Sequence, residues 1–98
     1  MDKCACHKTK IREEAEYKAL LNRLARIEGQ LRGIRGMVEN NAYCPDILTQ
    51  TAAVNAAIDA FSRELLASHI RSCVTEDIRQ GKDETVEELL KLLRKMMH

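Results

Sequence analysis

His69 and Cys73 have the residue types and the spacing of metal ligands. Residues four apart lie on the same face of an α-helix, so an imidazole and a thiolate in this pattern can bind one ion. A cysteine on a buried helix is more often a small apolar residue of the core, and the pair alone favours that simpler interpretation. A third ligand would reverse the balance, and Cys44 is the candidate.

Cys44 cannot reach this pair within one chain if the intervening sequence is helical. No glycine or proline occurs between Pro45 and Gly81, which predicts one helix over residues 45–80. At about 1.5 Å per residue, that helix places Cys44 roughly 38 Å from His69. In an antiparallel pair of chains, Cys44 of one chain can meet His69 and Cys73 of the other, which gives two equivalent sites.

Two thiolates and one imidazole are ligands that suit a soft metal ion. Cu(I) accepts this set, whereas Zn(II) usually takes a fourth ligand and Ni(II) prefers square-planar, nitrogen-rich sites. Because the site would join two chains, metal binding would bias their relative placement. That coupling is typical of a sensor rather than of a storage protein.

Cys4, Cys6 and His7 form a second cluster of soft-metal donors near the N-terminus. They lie in a segment without apolar periodicity, and we expect residues 1–12 to be a flexible tail and residues 13–98 to be a single domain. The cluster could capture copper, exchange it with a copper chaperone, complete the first site or have no role. The last interpretation is the simplest.

An apolar stripe predicts a first helix over residues 13–40. Apolar side chains recur at intervals of three and four along it, at Tyr17, Leu20, Leu24, Ile27, Leu31, Ile34 and Val38. Gly29, Gly33 and Gly36 fall on one face, which we interpret as a close approach by another helix. Asn40–Tyr43 breaks this helix, and Gly81 and Asp83 mark the end of the second helix and the cap of a third.

The predicted fold is therefore all-α, with three helices and a long central one. Only 3% of the residues are aromatic, and the chain has four glycines and one proline, which argues against a β-sandwich or barrel. The central helix is apolar over much of its circumference, so a neighbour must cover it. The simplest neighbour is a second chain, lying antiparallel.

The composition excludes several classes of protein. No apolar run is long enough to span a membrane and the N-terminus has no apolar signal core, so we expect a cytoplasmic protein with reduced cysteines. The net charge is +1, but cations are concentrated in the first half, which permits a polyanionic partner. No catalytic triad, phosphate loop or cofactor motif stands out, which argues against an enzyme.

The sequence resembles the copper-sensing operon repressor family (CsoR-like), whose relatives include nickel, formaldehyde and persulfide sensors. The resemblance extends from Leu20 to Leu93. It is carried by residues 22–30, 33–34, 37–39, 43–44, 46–48, 50 and 53–54, by His69 and Cys73, and by residues 88–90.

The resemblance implies an all-helical chain that forms antiparallel dimers and assembles into a flat tetramer. It also implies that the metal-free tetramer binds operator DNA and that the ligand releases it. Copper sensors have ligands at the positions of Cys44, His69 and Cys73. Persulfide sensors lack the histidine, while nickel and formaldehyde sensors differ at the Cys73 position and the common nickel type has a histidine at Arg12. The resemblance therefore favours Cu(I).

Other residue roles also come from the resemblance. Tyr43 and Glu88 match residues that hydrogen-bond the liganding histidine and carry the signal to other helices, although loop packing and a helix N-terminal acid are equally good interpretations. Arg23 matches a basic residue linked to operator binding. Further cations that could extend the DNA contact are Lys18, Arg26, Arg32 and Arg35.

The chain departs from the family in the middle of the second helix. The family often has a basic residue where this chain has Asp59 and Ala60, and Arg63, one turn later, is a possible substitute. We therefore expect a Cu(I)-responsive repressor that binds DNA. The alternatives are a repressor that responds to thiol oxidation or persulfide, through Cys44 and Cys73 of two chains, and a copper buffer or chaperone without DNA binding.

Overall fold

The computed structural model describes the chain from Arg12 to Met97 and the backbone of residues 4–5 and 9–10. Its elements are β1 (Cys4–Ala5), β2 (Thr9–Lys10), α1 (Glu14–Glu39), α2 (Cys44–His69), a π-helical turn (Ile70–Val74), α3 (Thr75–Arg79) and α4 (Glu84–Met96). The all-α prediction is confirmed, because nearly all of the described residues are helical. None of the described helices is both long and apolar enough to cross a membrane.

Helix α1 ends where the sequence predicts a break. Asn41 adopts a positive φ of 57°, which places the chain in the left-handed region after the last helical turn. The amide of Ala42 donates to the carbonyl of Met37 at 2.9 Å, and the amide of Asn41 donates to that of Val38 at 3.1 Å. These two bonds form a Schellman motif, which satisfies carbonyls that the helix leaves without partners.

The predicted central helix is present, but it is not a regular α-helix throughout. Helical conformation runs from Cys44 to Arg79, and Pro45 stands in its first turn, where the missing N–H costs little. The segment Ile70–Val74 is π-helical, and it separates α2 from α3. The apolar periodicity of the sequence did not predict this turn.

A second Schellman motif joins α3 to α4. Gly81 has a φ of 78°, its amide donates to Ile78 O at 3.0 Å, and the amide of Lys82 donates to Asp77 O at 2.8 Å. Asp83 is the N-cap residue of α4, as predicted, but its side chain makes no capping hydrogen bond. Its backbone lies in the helical region, whereas capping side chains usually extend from a residue in the β region.

The N-terminal segment contains a short pairing that the sequence did not predict. Strands β1 and β2 are antiparallel, with Cys4 opposite Lys10 and Ala5 opposite Thr9. Cys6 and His7 lie outside the described residues, as does the side chain of Cys4.

The chain forms two compact units. One is Glu14–Leu65, in which Ile27 and Val54 are buried. Several apolar residues of the α1 stripe remain exposed there, including Leu31 (50%) and Val38 (57%). The glycine face is open as well: a Cβ added at Gly33 or Gly36 would meet nothing within 4 Å. The close approach expected at these glycines therefore does not occur within the described chain.

The other unit combines Leu66–His98 with the segment up to Glu13. Its buried residues, within the part that the structure describes, are Cys73, Val74, Asp77 and Thr85. Helix α4 packs against the π-helical turn, so this small core is built around the segment that carries Cys73.

Candidate metal centre

His69 and Cys73 lie at a junction between two helical geometries. His69 is the last residue of α2 and is half-buried, and Cys73 is the fourth residue of the π-helical turn. Cys73 is only 2% exposed. Short π-helical insertions are costly and occur often at functional sites, because the wider turn changes the direction of one side chain.

Side-chain hydroxyls stabilise the carbonyls of this turn. The Ser72 hydroxyl donates to Ser68 O at 2.8 Å, and the Thr75 hydroxyl donates to Ile70 O at 2.6 Å. The Ser72 Oγ is also 3.7 Å from the Cys73 sulfur, within the range of a weak O–H···S contact. The π-helical turn is thus supported on both sides of Cys73.

The Cys73 sulfur is in a disulfide bond in this structure. Its partner lies outside the described side chains. A disulfide sulfur is a poor metal ligand, because metals bind the thiolate. The predicted role of Cys73 therefore applies to the reduced chain.

Cys44 has the opposite environment. It is the first residue of α2, and its thiol is free and exposed. The carbonyl of Tyr43 accepts the amides of Asp46 and Ile47, which fixes the start of the helix. The Tyr43 side chain is 72% exposed, so both side chains at this helix start are open to a second molecule.

A single chain does not bring the predicted ligands together. Among the residues that the structure describes, no three His, Cys, Asp or Glu side chains form a group that could hold a metal ion. His69 and Cys73 are close in sequence on one helical segment, while Cys44 stands at the other end of α2. Glu88 is exposed on α4.

The predicted DNA-binding cations differ in their surroundings. Lys18 is 3.2 Å from Glu14, in an exposed ion pair four residues apart. Arg26 and Arg63 are exposed and Arg23 is half-buried, and within the described residues these three have no ion-pair partner. They are therefore available to neutralise phosphates, while Lys18 would first have to leave its carboxylate.

One pair of polar residues near the site was missed by the sequence analysis. Asp77 and Thr85 are 4% and 2% exposed, and the Thr85 hydroxyl donates to Asp77 Oδ2. Asp77 follows Cys73 by four residues, so an acid falls on the helical face that carries the buried cysteine. A charged residue on a face expected to be buried was the signal by which the sequence could have revealed this pair.

His69 and Cys73 stand four residues apart on one helical segment, and Cys44 is a free thiol at an exposed helix start. Cysteine and histidine in this pattern are typical of a metal-responsive protein. A profile described as metal-sensitive transcriptional repressor matches residues 16–95. The chain belongs to this family.

Individual relatives match from 60% to 97% of the chain. The copper-sensing transcriptional repressor CsoR of Bacillus subtilis (strain 168) is 44% identical over 97 residues, which are 97% of this chain and 96% of that protein. The copper-sensing transcriptional repressor RicR of Mycobacterium tuberculosis is 46% identical over 59 residues, which are 60% of this chain and 62% of that protein.

Two solved structures are also similar. The copper-sensing repressor CsoR with Cu(I) from Geobacillus thermodenitrificans NG80-2 has a TM-score of 0.86 at 38% identity, with 90% of this chain and 93% of that chain covered. The nickel-responsive transcriptional regulator InrS has a TM-score of 0.73 at 36% identity, with 89% and 99% covered. The fold is therefore shared by sensors of different metals.

Proposed function

We propose that the chain is a Cu(I)-responsive transcriptional repressor of the cytoplasm, which binds operator DNA without metal and is released by Cu(I). The observation that carries this proposal is the placement of the three donors: His69 and Cys73 on one helical segment, and Cys44 free at an exposed helix start. The membership of the chain in the metal-sensitive repressor family supports it.

The donor set fits Cu(I) better than the other metals that sensors of this fold bind. Reduced Cys44 and Cys73 supply two thiolates and His69 supplies one imidazole, a combination that suits a soft ion of low coordination number. Ni(II) prefers more nitrogen donors, and Zn(II) would need a fourth ligand. Cu(I) bound there would hold the helix start of one chain to the helix end of another.

The proposed site takes its donors from two chains, because Cys44 stands at the start of α2 and His69 at its end, and a helix of 26 residues is about 39 Å long. The apolar side chains exposed on α1 and α2 supply surface for such an assembly, since a small chain gains stability by covering them. We propose an antiparallel homodimer that pairs Cys44 with His69 and Cys73 of the partner, and a homotetramer of two such dimers.

The DNA contact in this proposal uses cations of α1 and α2. Arg23 and Arg26 are one helical turn apart on α1, so both can contact one stretch of phosphates, and Lys18 and Arg63 extend the surface. Tyr43 and Glu88 would hydrogen-bond the liganding imidazole from other elements, since a metal-bound histidine usually donates its second N–H to an oxygen.

Operator release under anaerobic conditions tests the proposal. We expect stoichiometric Cu(I) to weaken operator binding by about 5- to 150-fold, the usual range of an allosteric coupling, and Ni(II) and Zn(II) to weaken it far less. C44A, H69A and C73A should each bind the operator as the wild-type chain does and fail to release it.

The matched control is the double variant C4S/C6S, which removes two thiols of the same type from the N-terminal segment and is assayed, like the wild-type chain, after full reduction. It should respond to Cu(I) as the wild-type chain does, if the tail has no part in sensing. Operator affinity that does not change with Cu(I) would overturn the proposal. Copper binding without any salt-dependent DNA binding would instead indicate a buffer or chaperone.

A second candidate function is release on thiol oxidation or persulfidation, and the free, exposed thiol of Cys44 favours it. The two functions separate at His69, which a redox response does not need. If polysulfide or peroxide releases the H69A variant while Cu(I) does not, oxidation is a signal in its own right. If H69A responds to neither, copper is the signal.

A further inference from the structure

Two buried polar residues beside the proposed metal site have no role in the function proposed so far. Asp77 and Thr85 are 4% and 2% exposed, as deeply buried as Cys73 itself. Polar groups at such depth are costly unless they bind each other, so their contacts decide what they do.

The contact between them joins α3 to α4. The Thr85 hydroxyl, in the first turn of α4, donates to the Asp77 carboxylate on α3. The backbone carbonyl of Asp77 accepts the amide of Lys82 at 2.8 Å, the bond that closes the Schellman motif between the helices. Asp77 therefore holds the start of α4 through its side chain and the connecting turn through its backbone.

Asp77 is also linked to the proposed ligand Cys73. The two residues are four apart on a continuous helical segment, one turn from each other. The π-helical turn that contains Cys73 packs against α4, and Cys73, Val74, Asp77 and Thr85 form the buried part of this unit in the described residues. A shift of Cys73 would therefore reach the start of α4 and the turn before it, which Asp77 and Thr85 hold in place.

The π-helical turn departs from α-helical geometry within a continuous helical segment. A π-helical turn spans more residues than an α-helical one, so its conversion changes the direction of the side chains within it. Here the turn is held by the Thr75 hydroxyl on Ile70 O and the Ser72 hydroxyl on Ser68 O. A metal ion bound to His69 and Cys73 would span the start of this turn and bias its geometry.

We propose that Asp77 and Thr85 are positioning residues that couple the metal ligand Cys73 to helix α4. The inference rests on the proposed function. Their hydrogen bond makes the π-helical turn and the start of α4 move as one body, so Cu(I) binding at one end changes the placement of α4. Glu88 lies three residues after Thr85 on the same helix and would move with it.

The test separates coupling from binding and from stability. T85V keeps the shape of the side chain and removes the hydroxyl donor, and T85S restores the donor. For each variant, operator affinity is measured with and without Cu(I), Cu(I) affinity is measured by competition with a chromophoric Cu(I) chelator, and folding is checked by circular dichroism.

We expect T85V to bind metal-free operator and Cu(I) within about threefold of the wild-type chain. Its Cu(I)-induced loss of operator affinity should be about tenfold smaller than that of the wild-type chain, and T85S should regain most of the response. A purely structural role would instead lower both affinities together, and T85S would then recover all of them in parallel.

D77N is the second variant, for the case in which T85V does not fold. Its amide oxygen can still accept the Thr85 hydroxyl, so it should keep most of the coupling, whereas D77A should lose it. If Cu(I) releases T85V or D77A from the operator to the wild-type extent, the inference is overturned and the proposed function is not affected. Failure of the wild-type chain to respond to Cu(I) overturns the proposed function, and the inference with it.

Discussion

At the scale of single residues, the two cysteines of the candidate metal centre differ in exposure and in bonding. Cys44 is free and exposed, whereas Cys73 is 2% exposed and is in a disulfide. Since only the thiolate binds a metal, the oxidation state of Cys73 decides whether the site can form. Copper sensing by this chain is therefore expected to require a reducing environment.

This difference predicts that reduction controls copper binding. Protein oxidised at Cys73 should bind Cu(I) weakly, because one of its three donors is missing, and reduction with a phosphine followed by its removal should restore tight binding. Competition with a chromophoric Cu(I) chelator measures both states. The C73A variant is the control, since its affinity should be low and should not change on reduction. Equal Cu(I) affinity of the oxidised and reduced wild-type chain would contradict the prediction.

At the scale of elements, two left-handed residues close the helix ends that frame the site. Asn41 has a φ of 57° after α1, and Gly81 has a φ of 78° after α3. Both stand in Schellman motifs, but only glycine adopts this conformation without steric cost. The turn at Gly81 also shares Asp77 with the contact to Thr85, so it positions α4.

Substitution at Gly81 should therefore destabilise the fold. We expect G81A to lower the free energy of unfolding by about 1–2 kcal/mol, because an L-residue in the left-handed region pays that penalty. G81N should cost less, as asparagine tolerates this conformation, and N41G should leave the stability unchanged or raise it slightly. Urea denaturation measures all three. A loss at N41G that equals the loss at G81A would refute the explanation.

Local sequence signals predicted most of the element boundaries. The apolar stripe predicted α1, Asn40–Tyr43 its end, and Gly81 the turn before α4, because each depends on neighbouring residues. The π-helical turn and the contact between Asp77 and Thr85 were not predicted in this way. The Thr75 and Ser72 hydroxyls hold the widened turn from within the same helical segment, which apolar periodicity does not reveal, and the bond of Asp77 to Thr85 depends on packing between α3 and α4.

The candidate site was predicted to the same extent. Residue types and the four-residue spacing make His69 and Cys73 candidate ligands, and helix length predicts that Cys44 comes from another chain; these stay predictions. The burial and disulfide of Cys73 depend on what packs around it, and no spacing rule contains that information. The roles of Tyr43 and Glu88 remain predictions, since both side chains are exposed in the single chain.

At the scale of the whole molecule, the proposed second chain would both cover the exposed apolar surface and complete the proposed site. Leu31 and Val38 on α1 are 50% and 57% exposed. Covering such side chains is the main driving force for association. Assembly and copper binding should therefore be lost together.

A charge on this surface tests that link. L31E should weaken self-association by about 100-fold or more, because an unpaired carboxylate would be buried in an apolar interface. Its Cu(I) affinity should fall as well, since Cys44 comes from the second chain in the proposed site. The matched control N22E places the same charge at an exposed polar position of α1. Sedimentation velocity measures self-association, and chelator competition measures Cu(I) affinity. If L31E self-associates at the same protein concentrations as the wild-type chain, the prediction is wrong.

The cations of α1 should determine how DNA affinity depends on the salt concentration. A protein that neutralises phosphates releases counterions, so the logarithm of its DNA affinity falls linearly with the logarithm of the salt concentration, by about 0.9 for each contact. R23A and R26A should each weaken operator and non-specific DNA alike and reduce that slope by about one. R79A is the matched control, because Arg79 is an exposed cation on α3, outside the proposed DNA surface. A slope that R23A and R26A leave unchanged would place the DNA contact elsewhere on the molecule.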